Sequence, residues 1–218
     1  GEGDDQLRGR SGDDVIMGGA QDDMLFGGGG VDTLSYANDA AGVSVRLFNS
    51  SASGGDAQGD LIREFENLVG GAGNDYLAGD ANANRIEGGA GDDQLRGGSG
   101  DDLLVGGLGI DRLLGGSGDD RFLLDAPGAR DIVEDFGAGD LILLDGAIFQ
   151  GLGGAGPLDA AAFAMGAATT ADHRLIYDAS GPHGDLYYDM DGAGAAAPMR
   201  IAELLGAPTL DATDILIF

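Results

Sequence analysis

The sequence predicts an all-β chain wound as a flattened parallel coil, with a mostly-β cap at its C-terminal end. Three observations carry that prediction. Residues 70–123 are six consecutive nine-residue units, and residues 1–35 hold four more in the same phase. Each unit opens on turn residues, Gly88 Gly89 Ala90 Gly91 being the pattern, and glycine supplies the positive φ that a tight turn needs. Each closes on three residues whose middle member is apolar: Leu7, Ile16, Leu25 and Leu34 in the first block, Leu77, Ile86, Leu95, Leu104, Leu113 and Phe122 in the second. A side-chain period of two turns that residue inward and its neighbours outward, so the last three places read as a very short strand.

One apolar residue in nine is a thin core, and something else must offset the entropy of so many glycines. If two units make one turn of the coil, units n and n+2 stack in one sheet about 4.8 Å apart. The sixth-place side chains then pile into two columns, Asp75, Asp93, Asp111 and Asn84, Asp102, Asp120; the first block adds Asp5 with Asp23 and Asp14 with Asp32. Bare carboxylates roughly 5 Å apart repel by about 3 kcal/mol at an effective dielectric near 20. A hard divalent cation between them turns repulsion into attraction, and a turn offers what calcium prefers, carboxylates plus backbone carbonyls. These ten side chains are the candidate metal ligands. Asn84, one charge short, makes the weaker site. The plain alternative is a disordered acidic segment, which 44 glycines and a formal charge of -27 would suit. Disorder, however, requires no apolar residue at every ninth place.

The motif G-G-x-G-x-D-x-U-x resembles the nonapeptide repeats of the RTX (repeats-in-toxin) family of secreted calcium-binding proteins, whose fold is the parallel β-roll. The resemblance implies that each ion lies between turns n and n+2, held by both sixth-place side chains and by carbonyls of the first four places. Those carbonyls belong to Gly70, Gly71, Ala72 and Gly73, then Gly88, Gly89, Ala90 and Gly91, then Gly97, Gly98, Ser99 and Gly100. The units at Gly106, Gly107, Leu108 and Gly109 and at Gly115, Gly116, Ser117 and Gly118 complete the set. On this basis about five to eight Ca2+ ions are expected.

Composition narrows the partners. There is no cysteine, hence no disulfide frame and no thiolate zinc site. The 11 basic residues are all arginine, too few and scattered for a nucleic-acid surface, and the net charge repels nucleic acid and anionic lipid. No apolar run approaches the roughly 20 residues of a membrane span, so no direct membrane insertion is expected. No signal peptide is visible. Gly1 to Leu7 fits places two to eight of a unit, so the chain is expected to be the tail of a longer protein with an N-terminal passenger domain.

In chain order, the first block (1–35) carries Arg10 and Gln21 where glycines are usual. Residues 36–69 interrupt the repeats: Val43 to Leu47 alternates as a half-buried strand, Ser50 to Gly59 is a polar loop, and Leu68 falls at an eighth place, so a wide coil continuing the sheets is expected. Phe65 and Phe48 need cover there, with Met17 or Phe26 as candidates. The second block (70–123) ends with outward Val105, Leu114 and Leu123, which predict a cover or cap. Residues 124–218 supply it. Asp131 to Phe136 and Asp140 to Leu144 read as strands around a Gly137–Gly139 turn. Leu158 to Met165 reads as a short helix opened by Pro157. Leu175 to Asp178 and Asp185 to Asp189 read as a hairpin, and Met199 to Leu205 as a strand after a turn at Asp191 to Ala197.

The tail Asp214, Ile215, Leu216, Ile217 and Phe218, one acid before four apolar residues, resembles the uncleaved C-terminal signal of proteins exported by the type I secretion machinery of Gram-negative bacteria. The plain reading is a last core strand, and both can hold. No zinc helix or nucleophile elbow is present, and the only histidines are His173 and His183, so no catalytic residue is expected. Asp189 and Asp191 in D-M-D-G suit a hairpin turn better than a calcium loop. The expected function is a calcium-binding module driving folding, stability and secretion of a larger extracellular protein. The alternatives are a calcium-dependent adhesin or surface-layer segment, or an accessory module of a secreted protease, lipase or polysaccharide-modifying enzyme.

Overall fold

The computed structural model describes residues 1–192 and 194–218. The first block gives β1 (Gln6–Ser11), β2 (Val15–Ile16), β3 (Met24–Gly29) and β4 (Thr33–Ser35). The interruption contributes β5 (Ser44–Arg46), β6 (Ser51–Ser53), β7 (Leu61–Arg63) and β8 (Asn67–Val69). The second block gives β9 (Tyr76–Ala78), β10 (Arg85–Ala90), β11 (Gln94–Ser99), β12 (Leu103–Leu108), β13 (Arg112–Ser117) and β14 (Arg121–Leu124). The cap adds β15 (Asp131–Val133), β16 (Leu141–Leu144), β17 (Gly156–Pro157), β18 (Phe163–Met165), β19 (Leu175–Asp178), β20 (His183–Tyr188), β21 (Met199–Leu205) and β22 (Ile215–Ile217). Among the described residues the only helical pieces are single 3-10 turns, so the chain is all-β.

Successive units alternate between two sheets. Leu95 pairs with Leu77 on one side and Leu113 on the other, all parallel, while Ile86 lies between Leu68 and Leu104 in the opposite sheet. This is a parallel β-roll. One sheet of nine strands, β17-β22-β16-β14-β12-β10-β8-β4-β2, runs through both blocks and into the cap; the facing side is split into β1-β3-β7 and a ten-stranded sheet from β6 through β5, β9, β11, β13 and β15 to β18. Between the sheets, Leu25, Leu34, Leu68, Leu77, Ile86, Leu104, Leu113 and Phe122 are wholly buried. Burying a side chain of that size is worth about 1.5–3 kcal/mol each.

Strands β10 to β13 are six residues long, twice the expected length. The first glycines of the next unit stay in register, Gly98 opposite Gly116 and Gly89 opposite Gly107, because their amides and carbonyls find partners two units away. The turn proper is confined to places four to six.

The interruption widens the coil. Val45 pairs with Leu77 and β6 folds back on β5, while β7 continues the first small sheet and β8 bridges β4 to β10. Phe65 is buried, but Phe48 stays largely exposed; Phe26 lies instead under the Arg8 guanidinium, 4.2 Å from its ring centroid.

The cap prolongs the stack more than it covers its flanks: Val105 is buried, Leu114 and Leu123 half-buried. β15 and β16 do not pair as a hairpin. They lie in opposite sheets, against β13 and β14, as one more turn of the coil. The helix expected over Leu158–Met165 is absent: a 3-10 turn at Ala160–Ala162, capped by Asp159, leads into β18, which pairs with β19. Eight residues are too few to nucleate a helix alone, whereas the edge of β19 offers ladder bonds. Leu175–Asp178 and His183–Tyr188 do form an antiparallel hairpin, joined by β21. Ala193, inside the turn expected over 191–197, lies outside the described residues.

Candidate metal centre

Each regular turn is built by alternating backbone hand. Gly98 and Gly100, second and fourth in their unit, have φ of 121° and 100°. Arg10 and Gln21 hold the same conformation in the first block, at 85° and 86°, where an L side chain costs about 1–2 kcal/mol. The first glycine has no room for a side chain: a Cβ on Gly88 would meet Asp93 Oδ2 and the carbonyl of Gly106.

This turn aims the sixth-place carboxylate along the column. Oδ1 of Asp93 accepts from the amide of Asp75 at 2.7 Å, Asp111 from Asp93 at 2.8 Å, Asp102 from Asn84 at 2.7 Å and Asp120 from Asp102 at 2.9 Å. Asp23 and Asp32 do the same for Asp5 and Asp14, at 2.8 and 2.9 Å. The second oxygen is left over. Oδ2 of Asp14, Asp23, Asp32, Asp93, Asp102 and Asp111 is buried with no hydrogen-bond partner. An ionised buried oxygen without a donor is costly, and at the first glycine of their turns the Oδ2 atoms of Asp14, Asp93 and Asp102 have the carbonyls of Gly27, Gly106 and Gly115 as neighbours. A hard, oxygen-seeking divalent cation fits this donor set.

The electrostatics agree. Burial pushes the Asp93 carboxyl up to about 7, with the charges of Asp111 and Asp75 adding to it. Burial likewise lifts Asp102 to about 7, helped by Asp120, and Asp111 to about 6. Asp75 and Asp120 are also raised, again chiefly by burial. The ladder amides partly offset each shift. Without a cation Asp93, Asp102 and Asp111 resist ionisation.

Two expected ligand turns are built differently. Asp75 Oδ2 accepts from the Gly71 amide at 2.7 Å, and Asn84 Oδ1 accepts from the Asp80 amide at 2.8 Å while its Nδ2 donates to the Glu66 carbonyl. None of Gly71, Gly73, Asp80 or Asn82 has positive φ. The turns of Gly70, Gly71, Ala72 and Gly73 with Asp75, and of Asn84, are thus closed by the chain's own donors, and they lack the open oxygen of the turns that follow. Asp5, half-buried, stands at the outer end of its column.

The columns also reach past the repeats. Asp60 accepts from Asp23, Glu66 from Asp32, Asp131 from Asp111 and Asp140 from Asp120, at 2.9, 2.7, 3.1 and 2.9 Å. Sequence reading missed all four, although each keeps an acid two places before an inward apolar residue: Ile62, Leu68, Val133 and Ile142. It also missed a second ladder on the outside. Fifth-place Asp13, Asn74, Asp92 and Asp101 accept from the amides of Val31, Asp92, Ile110 and Asp119, at 2.8 to 3.0 Å. The doubled acids of the repeat were its signal.

Elsewhere, His173 and His183 each accept a backbone amide, from Thr169 and Gly206, at the edge of the cap. Asp189 is buried and takes the Asp191 amide at 3.1 Å, a local turn bond. Among the described residues no helix is long and apolar enough to cross a membrane. Ile215 and Ile217 of the tail are buried beside β16, and Phe218 is exposed.

The repeat blocks match a family model described as RTX calcium-binding nonapeptide repeat (4 copies), over residues 1–34, 65–95 and 96–126. Among solved structures, a subunit of the mannuronan C5-epimerase of Azotobacter vinelandii is 30% identical, with 66% of this chain and 78% of that one covered and a TM-score of 0.43. The extracellular lipase of Serratia marcescens is 17% identical, with 98% of this chain and 38% of that one covered and a TM-score of 0.44, so the chain spans well under half of that enzyme. No curated protein matches the chain.

Proposed function

The chain belongs to the RTX family of calcium-binding nonapeptide-repeat proteins, and from that membership we propose that it is a module whose folding is switched on by calcium outside the cell. The observation that carries this reading is the row of buried, unpartnered Oδ2 atoms at Asp14, Asp23, Asp32, Asp93, Asp102 and Asp111. When bound, calcium supplies the positive charge that these oxygens lack. The residues of the chain do the rest: the ladder amides fix each carboxylate, the glycines let backbone carbonyls approach, and the inward Leu and Ile side chains hold the two sheets together.

Where calcium is on the order of millimolar, as outside a cell, modest sites fill. A ligand that binds the folded chain and scarcely the unfolded one stabilises by mass action. The chain is thereby loose inside a Gram-negative bacterium and ordered after secretion. Its partners on this reading are calcium, the type I secretion machinery and a passenger domain. Its own role is structural, and catalysis belongs to the passenger.

Circular dichroism tests the reading. In metal-depleted buffer near neutral pH the strand signal of the repeats is expected to collapse, and to return cooperatively on adding calcium. Strand content that is the same with and without the metal would remove the basis of the proposal.

A further inference from the structure

The outer surface of the ten-stranded sheet changes sign partway along. Register sets its rows: Tyr76, Gln94, Arg112, Ile132, Glu203 and Asp185 are successive partners in one, and Arg46, Ala78, Arg96 and Leu114 in the next. These side chains face outward, because their neighbours Leu77, Leu95, Leu113, Val133 and Leu204 are buried between the sheets. Over the roll the charged members of the face are Arg46, Arg96 and Arg112. Over the cap they are Glu134, Glu203, Asp185 and Asp178, with Arg200 set between Asp185 and Glu203 at 2.7 and 3.4 Å. Arg112 and Glu134 pair at the boundary.

The basic half is left without counter-charge. Among the described residues no acid lies within ion-pair distance of Arg46 or Arg96. Both sit over the Tyr76 ring instead, 4.4 and 5.5 Å from its centroid. Phe48, just past β5, is 62% exposed, and Leu114 and Ile132 at the middle of the face are half-buried.

The pattern is symmetric about the junction of β13 and β15. Counting outward, β11, β9 and β5 on the basic side answer β21, β20 and β19 on the acidic side. A two-fold axis lying in the face between β13 and β15, along the strands, therefore lays the basic half of one copy on the acidic half of the other, twice over. Closed two-fold contacts of this kind are the commonest way for like chains to associate. Copies of a chain with a formal charge of -27 repel in most orientations, and this orientation is the exception because guanidinium groups meet carboxylates.

We propose that the outer face of the ten-stranded sheet is a self-complementary docking surface for a second copy of this chain, bound as a two-fold dimer. Leu114 and Ile132 of both copies lie at its centre, and Phe48 at its rim. From β5 to β19 the face spans about 34 Å at a strand spacing of about 4.8 Å, and its strands are roughly 10–20 Å long. That area, on the order of 500 Å² per copy, is at the low end for specific contacts, so the dimer forms at micromolar and not nanomolar concentration.

Sedimentation equilibrium of the whole 218-residue chain in calcium tests this, with circular dichroism to establish that each sample is folded. The unaltered chain is expected to pass from monomer to dimer, and no further, as its concentration rises through the micromolar range. Arg46→Glu with Arg96→Glu reverses the basic half, and Asp185→Arg with Glu203→Arg reverses the acidic one. Either altered chain alone is expected to dimerise about a hundredfold more weakly, since like charges then face each other. An equal mixture of the two recovers the dimer, because each reversed half meets its opposite. If the second chain does not fold, Asp178→Arg, whose carboxylate takes the Ser180 amide of its own turn, replaces it in the mixture. An unaltered chain that stays monomeric overturns the proposal, as do assemblies larger than a dimer or a dimer that survives both reversals. Loss in the arginine variant without recovery in the mixture sets the basic half against some other acidic surface, and overturns it too.

Discussion

A sixth-place aspartate uses its two oxygens differently, and a pH dependence follows. Oδ1 is engaged by the amide two units back, while Oδ2 of Asp93 and Asp102 has no donor. Both carboxyls are raised to about 7 in the fold, first by burial, from an ordinary value of 3.8. A group whose folded pKa lies above its unfolded one favours folding fully below the unfolded value and loses that contribution as pH rises through the folded one. In metal-depleted buffer the strand signal is therefore expected to be strongest near pH 4 and to fade toward pH 7. With calcium the dependence reverses, because the metal displaces those protons, and the midpoint calcium concentration should climb as pH drops below 7. A metal-free signal that is flat across that window would contradict the assignment. At this scale the sequence was readable where residue type and spacing coincide, as for Asp93, Asp102 and Asp111. It was not readable where an ordinary turn residue acquires its partner only through stacking, as for Asp92 with Ile110 or Asp131 with Asp111.

At the scale of the element, the period of nine located the eighth-place inward residue of each strand from β9 to β14, since burial of one face is all that such a strand requires. Strand length and the cap were less legible. Whether Gly97 and Gly98 extend β11 depends on the unit two places on, and Phe163 joins a strand because β19 lies open beside it. Both are tertiary facts. The turns, in contrast, make a local prediction. Gly98 has φ of 121° and a Cβ there would strike the Asp80 carbonyl, whereas Arg10, in the same place of its unit, occupies the outermost layer of its column. Gly98→Ala should destabilise the calcium-loaded chain by about 1–2 kcal/mol or more, and Arg10→Gly should raise its melting temperature by roughly 2–4 °C, about 1 kcal/mol. Thermal melts at fixed calcium measure both, and a Gly98→Ala chain as stable as the parent would show that the left-handed turn is not required.

For the whole molecule, the cap and the roll share one core, with Ile215 and Ile217 packed at the far end of the same sheet that begins at β2. Ile215 and Ile217 so placed are hidden in the folded protein, and an export signal that includes them would be read before folding. Removing residues 214–218 is expected to leave the product inside the producing cell and to lower the stability of purified chain in calcium; assay of the culture medium and a thermal melt report the two effects separately. Undiminished release of the shortened chain would assign export elsewhere. The nine-stranded sheet has a mechanical corollary as well. Because β4 is bonded to β8, and β3 to β7, across the loop that separates them in sequence, the covalent link through residues 50–59 carries little of the load between the two repeat blocks. A protease that severs it leaves a nicked but undivided body, its halves clasped by strand pairing in place of peptide.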